Sequence, residues 1–145
     1  MDLLSAVIIL GALLAVTVGV GIFLRWRQNR PARFNPSEVV DPARFGAERL
    51  GDSATLLQFS TEMCGRCPGV HRTLREIADE RDGVIHLDVD LTHRVDIAQH
   101  FRVLQNPTTL ILDKHGVVRS RFGGTPGRQV VEMELDRVTT GAGRG

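Results

Sequence analysis

From Leu3 to Leu24 the chain carries no charged residue and is mostly apolar; coiled as a helix at 1.5 Å per residue this run rises about 33 Å. A hydrocarbon core is roughly 30 Å thick, so the run predicts a transmembrane helix. The pattern then changes. Gln28 to Pro36 is polar and Arg-rich, with Pro31 and Pro36, and reads as a short linker or an edge strand. Asp41-Pro42 is a helix-start signal, predicting a short helix through about Arg49 that stops at Gly51. Ala54 to Ser60 is a continuous apolar run with one polar interruption, the pattern of a strand buried on both faces. Val70, Leu74, Ile77 and Ala78 then recur at helical spacing, with Arg72, Arg75, Glu76 and Asp79 between them. That amphipathic helix is expected to end near Asp82-Gly83.

Val84 to Val89 predicts a second strand, and Val95, Ile97, Ala98 and Phe101 a helix from about Thr92 to Arg102. Thr108 to Leu112 and Val117 to Phe122 form a hairpin around the Lys114-His115-Gly116 turn. Val130 to Val138 patterns a last helix, and Thr139 to Gly145 reads as a frayed tail. The order α, β, α, β, α, β, β, α gives a parallel strand-helix-strand part and an antiparallel hairpin edge, hence an α/β domain with a mixed sheet. The expected organisation is a transmembrane anchor over 1–24, a juxtamembrane linker over 25–37, the folded domain over 38–140 and a flexible tail over 141–145. The domain holds roughly 105 residues, enough to bury its own core.

Charge alters this picture only near the span. The net charge of +1 argues against a nucleic-acid partner. All but one of the 18 basic residues are Arg, the exception being Lys114. Arg25, Arg27, Arg30 and Arg33 follow the apolar run, whereas only Asp2 and the amino terminus precede it. The positive-inside rule therefore places the folded domain on the cytoplasmic side, with the extracytoplasmic side as the alternative. Trp26 suits an interfacial anchor. A cleaved signal peptide fits less well, because the apolar stretch is long and no Lys or Arg precedes it. Gly11, Ala15 and Gly19 lie four apart, a spacing that lets two spans approach and form a homodimer, although small residues are common in spans anyway.

The chain has 2 Cys, at positions 64 and 67. They are too few for a disulfide scaffold or a closed zinc site. A Cys-x-x-Cys between a buried strand and an amphipathic helix places a thiol where unpaired backbone N–H groups and the macrodipole favour negative charge. Thiolate is the nucleophile, so Cys64 is expected to attack a target disulfide and Cys67 to resolve the mixed disulfide. Gly65 and Arg66 lie between them, and Arg66 adds positive charge. Two ordinary buried cysteines, or a zinc or copper site of Cys64, Cys67 and His71, are the competing readings; His71 on an exposed helix face is otherwise expected to be solvated.

Ser60 to Cys67, taken with Asn106-Pro107-Thr108 and the Lys114-His115-Gly116 turn, resembles the thioredoxin family over roughly residues 38 to 138. The resemblance implies a thioredoxin-like fold, a central mixed sheet flanked by helices. It also implies that Pro107 is cis and stands beside the dithiol, with Asn106 pairing its backbone with the substrate chain. Several positions depart from the family pattern. Met63 replaces the usual Trp before the first Cys, Gly65-Arg66 replaces Gly-Pro, Gln58 replaces a buried Asp, and His86 replaces a Lys. Gln cannot take a proton, so His86 is the candidate base, set against a half-buried strand His that is simply hydrogen-bonded; Glu62 is a further ionisable neighbour, expected to be solvated.

These features predict a thiol–disulfide oxidoreductase at a membrane, with no cofactor beyond the Cys64–Cys67 disulfide. Its partners would be disulfide-containing proteins, a reductase or membrane electron donor, and the bilayer through residues 3–24. A non-catalytic binding or assembly module and a metal carrier are the alternatives.

Overall fold

A computed structural model describes residues 2–28 and 39–141. The linker predicted over Gln28 to Pro36 lies outside them except for Gln28, as do Arg30, Arg33 and residues 142–145. The chain divides into two compact units, Met1–Arg30 and Pro31–Gly145.

The first unit is one helix, α1 (Leu3–Gln28). It runs past the end of the apolar stretch at Leu24, because Arg, Trp and Gln are acceptable in a helix. Its apolar side chains are exposed on every side, and within Leu3–Trp26 it is long and apolar enough to cross a membrane, a test that an N-terminal signal sequence also passes. The hydroxyls of Ser5 and Thr17 donate back to the carbonyls of Asp2 and Leu13, at 2.7 and 2.8 Å. Neither hydroxyl needs water to be satisfied.

In the second unit, β1 (Ala54–Ser60) is the inner strand on which the others assemble. It pairs in parallel with β2 (Val84–Asp90) and antiparallel with β3 (Thr108–Asp113), and β3 pairs antiparallel with β4 (Val118–Gly123). The sheet order is β2-β1-β3-β4. The helix α2 (Cys67–Asp79) crosses from β1 to β2, α3 (Val95–His100) from β2 to β3, and α4 (Arg128–Gly141) follows β4. This is an α/β fold, a mixed four-stranded sheet flanked by helices, as the sequence pattern predicts.

Strand alternation divides the core in two. Ala54, Leu56, Ile111 and Phe122 pack with Val70, Leu74 and Ile77 of α2 and Val131, Leu135 and Val138 of α4. Leu57, Phe59, Leu110 and Leu112 pack on the opposite face with Ile97 and Phe101. Both layers bury β1 from Ala54 to Phe59, which is why it reads as an apolar run.

In the second unit, four helices differ in extent from the sequence pattern. α2 stops at Asp79 rather than near Asp82-Gly83, because the Arg81 N–H turns to the Ala78 carbonyl in a tighter turn and Gly83 then adopts a left-handed conformation at φ 75°. The helix expected from Asp41 to Arg49 is a 3-10 turn, Pro42–Phe45. Asp41 caps it by accepting from the Ala43 N–H at 3.0 Å, but Gly46 adopts a left-handed conformation at φ 69° and bonds its N–H to the Ala43 and Pro42 carbonyls, which ends it. α3 is shorter than Thr92–Arg102, since the Asp90 carboxylate accepts from the Thr92 N–H and hydroxyl in a turn, and Arg102 adopts φ 48° at the other end. α4 continues through Thr139 and Thr140 to Gly141, both hydroxyls donating to carbonyls of the preceding turn.

Candidate active site

The loop after β1 winds directly into α2. The Cys64 N–H donates to the Thr61 carbonyl at 3.1 Å and the Cys67 N–H to the Cys64 carbonyl at 3.3 Å. α2 begins at Cys67, so Cys64 lies just ahead of the helix rather than in its first turn. Cys64 and Cys67 are joined by a disulfide with Cα atoms 5.5 Å apart. Cys64 is half-buried and Cys67 is 5% exposed, so Cys64 is the more accessible residue of the pair. The first turn of α2 holds no acidic side chain, which leaves the positive end of its dipole facing the pair. Arg66 is exposed and makes no side-chain cap, Gly65 has open space around it, and Met63 is 94% exposed.

Behind the dithiol, Gln58 is fully buried. Its side-chain amide donates to the Cys67 carbonyl at 3.1 Å, and its Oε1 lies 3.1 Å from His86 Nε2. These two contacts fix the protons. A carbonyl only accepts, so the Gln58 NH2 must face Cys67 and its oxygen must face His86. His86 Nε2 therefore carries hydrogen and donates. The His86 pKa is lowered from 6.5 to about 4, by burial first and by the neighbouring His71 second, against the opposing pull of Asp88. His86 is thus a neutral imidazole with its proton on the nitrogen facing Gln58. It cannot take a proton there, and of the two readings weighed for it, the hydrogen-bonded strand histidine describes this geometry.

His71, expected to be solvated, is instead held. Its Nδ1 lies 2.9 Å from Asp88 Oδ2, and its ring meets that of His86 edge-on at 4.8 Å. The other Asp88 oxygen accepts from the Ser60 hydroxyl at 2.6 Å. Sheet register brings these groups together: Gln58 and Ser60 of β1, and His86 and Asp88 of β2, all have the same parity and face α2. Asp88 and Ser60 were not singled out from the sequence. Four polar side chains of one parity at the ends of two adjacent strands were the available signal. A cleft of about 700 Å³ is lined by Cys64, Cys67, His71, Asp88 and Ser60 among others. Glu62 sits at its rim, exposed. Cys64 and Cys67 are bonded to each other, and among the described residues no three His, Cys, Asp or Glu side chains are grouped to hold a metal ion.

The Asn106–Pro107 peptide bond is cis. Thr108 pairs with Phe59, so this bond lies at the same end of the sheet as the loop carrying the dithiol. The loop is tied down locally: Gly124 N–H donates to the Pro107 carbonyl at 2.8 Å and the Thr108 hydroxyl to the Gln105 carbonyl at 2.6 Å. Asn106 is exposed and Pro107 buried.

Comparison with known proteins gives one family. The thioredoxin family model matches residues 37–136. The chain is 34% identical to a thioredoxin of Mycolicibacterium smegmatis over 101 residues, covering 67% of this chain and 89% of that protein. It is 36% identical to a thioredoxin of Mycobacterium bovis over 103 residues, covering 68% and 86% respectively. Among solved structures, it is similar to a thioredoxin-2 described as a component of malaria parasite protein secretion machinery, with TM-score 0.57, 17% identity and 73% and 98% coverage. A thioredoxin-like protein from Clostridium perfringens aligns with TM-score 0.55 and 25% identity, over 69% of this chain and 79% of that one.

Proposed function

From the premise that this chain belongs to the thioredoxin family and is a thiol–disulfide oxidoreductase of that type, we propose that it reduces disulfides of protein substrates at a membrane through Cys64 and Cys67. In the reduced protein the Cys64 thiolate attacks one sulfur of a target disulfide, and the other target sulfur leaves as a thiolate. The Cys67 thiolate then attacks Cys64, the mixed disulfide breaks, and the second target thiolate departs. Two electrons have passed to the target, and the chain is left with the Cys64–Cys67 bond. A reductase or a membrane electron donor must return those electrons.

The observation that carries this reading is the bonded pair at the start of α2, with Cys64 the more accessible residue. Asn106 is exposed and precedes cis Pro107, a position suited to pair its backbone with an extended substrate chain. Supporting roles go to Gly65, which leaves room above the dithiol, to Arg66 at the helix start, and to Gln58 and His86 behind Cys67. The proposed organisation is an anchor through residues 3–24, a linker over 25–37, the redox domain over 38–140 and a tail over 141–145, with the domain on the cytoplasmic side.

The test is reduction of insulin with dithiothreitol as the electron source. The wild-type chain accelerates precipitation, Cys64→Ser abolishes the effect, and Cys67→Ser accumulates a mixed disulfide with the substrate. A module that holds partners without turnover would leave insulin unreduced, and activity surviving in Cys64→Ser would overturn the assignment.

A further inference from the structure

Resolution requires the Cys67 thiol to lose its proton, and the group behind it, Gln58, is an amide that cannot take one. His86 already carries hydrogen on the nitrogen facing Gln58. We propose that His71, oriented by Asp88, is the base that accepts the Cys67 proton in the resolving step. The inference rests on the redox reading above and concerns the same site.

Four observations support it. His71 lies four positions after Cys67 on α2, where side chains are neighbours with Cβ atoms about 5–6 Å apart. Both residues line the same cleft, together with Cys64. The Asp88 carboxylate, an acceptor when ionised, lies against His71 Nδ1 and so places the ring hydrogen on that nitrogen, leaving the Nε2 lone pair as the basic site. Ser60 pins the far oxygen of Asp88 and the His86 ring braces the imidazole, so the base has an orienting group of its own. Thiol, imidazole and carboxylate in series are the components of an activated sulfur nucleophile.

The step balances as follows. Cys67 Sγ–H gives its proton to His71 Nε2, directly or across one bound water. The Cys67 sulfur then bonds to Cys64 Sγ, the bond from Cys64 to the target sulfur breaks, and its electron pair leaves on the target. The departing thiolate takes the proton back from the His71 imidazolium or from solvent.

Other charges face this imidazole. Asp88 and His86 on β2 and Arg72 and Arg75 on α2 line the clefts beside it. Arg75 is itself 4.0 Å from Asp79, and Glu62 lies at the cleft rim.

The experiment uses the reduced full-length protein in detergent with a chromogenic aryl disulfide. One equivalent of coloured thiolate is released when Cys64 attacks, and a second, in a first-order phase, when Cys67 resolves. At pH 7, His71→Gln, which keeps a donor for Asp88, slows the second phase at least tenfold and leaves the first within twofold; general bases contribute about 10²–10⁴. The wild-type second phase rises through the imidazole range, between about pH 5 and 8, whereas in the variant it follows the higher range of a thiol near 8.5. Asp88→Asn gives an intermediate loss.

A second phase within twofold of wild type in His71→Gln, or one slowed with the pH profile unchanged, overturns the proposal and leaves His71 as a helix-to-strand tether. A misfolded His71→Gln would lose the first phase too, and the decision then passes to Asp88→Asn: a slower second phase with a shifted profile supports the base, and an unchanged one refutes it. Absence of the first phase in folded wild-type protein would instead refute the redox reading itself.

Discussion

Gln58 and His86 form one hydrogen-bonded unit, and its pH behaviour follows from which atom holds the proton. His86 is neutral in the fold, with its pKa lowered from 6.5 to about 4 by burial first and by His71 second. A group that binds its proton more weakly when folded favours the unfolded chain wherever the unfolded imidazole is charged. Its stabilising contribution is therefore fully present above pH 6.5 and is lost progressively as pH falls toward about 4. The ring is partly exposed, so solvent screening reduces the loss below the full value of the shift, to about 2 kcal/mol. His86→Gln keeps an N–H donor for Gln58 Oε1 but cannot titrate. Urea unfolding at pH 7 and pH 4.5 is expected to show a fall in wild type that the variant largely lacks. An equal fall in both would mean that His86 is not the titrating group.

At the scale of elements, the strands were legible because each has a pattern set by its place in the sheet. β1, buried on both faces, reads as a continuous apolar run, and Gln58 within it is a polar residue that faces α2. Boundaries were less legible where a side chain or a glycine ends an element. Gly46 stops the first turn early, and Thr139 and Thr140 carry α4 further than its apolar spacing extends. The dithiol is local in sequence and was visible at once. The His71–Asp88 contact joins α2 to β2 and needed the register of the sheet to be seen.

The β3–β4 hairpin shows such register at work. Asp113 is 1% exposed and accepts from the His115 and Val117 N–H groups and from Arg119 Nε. Burial opposes its charge, but the Arg119 guanidinium and the two N–H groups outweigh this and hold its carboxyl below the usual carboxylate value. That contribution is present above about pH 4 and is lost as pH falls through the lowered value, a window below that of His86. Asp113→Ala strands three donors and is expected to cost about 2–4 kcal/mol in denaturant unfolding, with Asp113→Asn losing about half as much. Ala54 pairs with Asp113 at the end of the sheet remote from the dithiol, so insulin reduction by folded Asp113→Asn should stay within twofold of wild type.

For the molecule as a whole, if α1 spans a membrane as proposed, the direction of electron flow depends on which side the dithiol faces. α1 is apolar around its circumference, its hydroxyls are satisfied internally, and its charges lie at one end, in Arg25 and Arg27, with Arg30 and Arg33 beyond it in sequence. Basic residues near a span remain on the cytoplasmic side. The cytoplasm keeps thiols reduced, so a dithiol held there would be recharged and would serve reduction. With Cys64 and Cys67 the chain's 2 cysteines, labelling gives a clean readout. In intact cells treated with a permeant reductant, a membrane-impermeant maleimide is expected to leave the protein unlabelled, and to label it once the membrane is opened. Replacing Arg25, Arg27, Arg30 and Arg33 by Ser and adding Lys residues after Met1 should invert this result. Labelling of the wild-type protein in intact cells would place the dithiol outside, where its substrates would be the disulfides of envelope proteins and its electrons would have to cross the membrane to reach it.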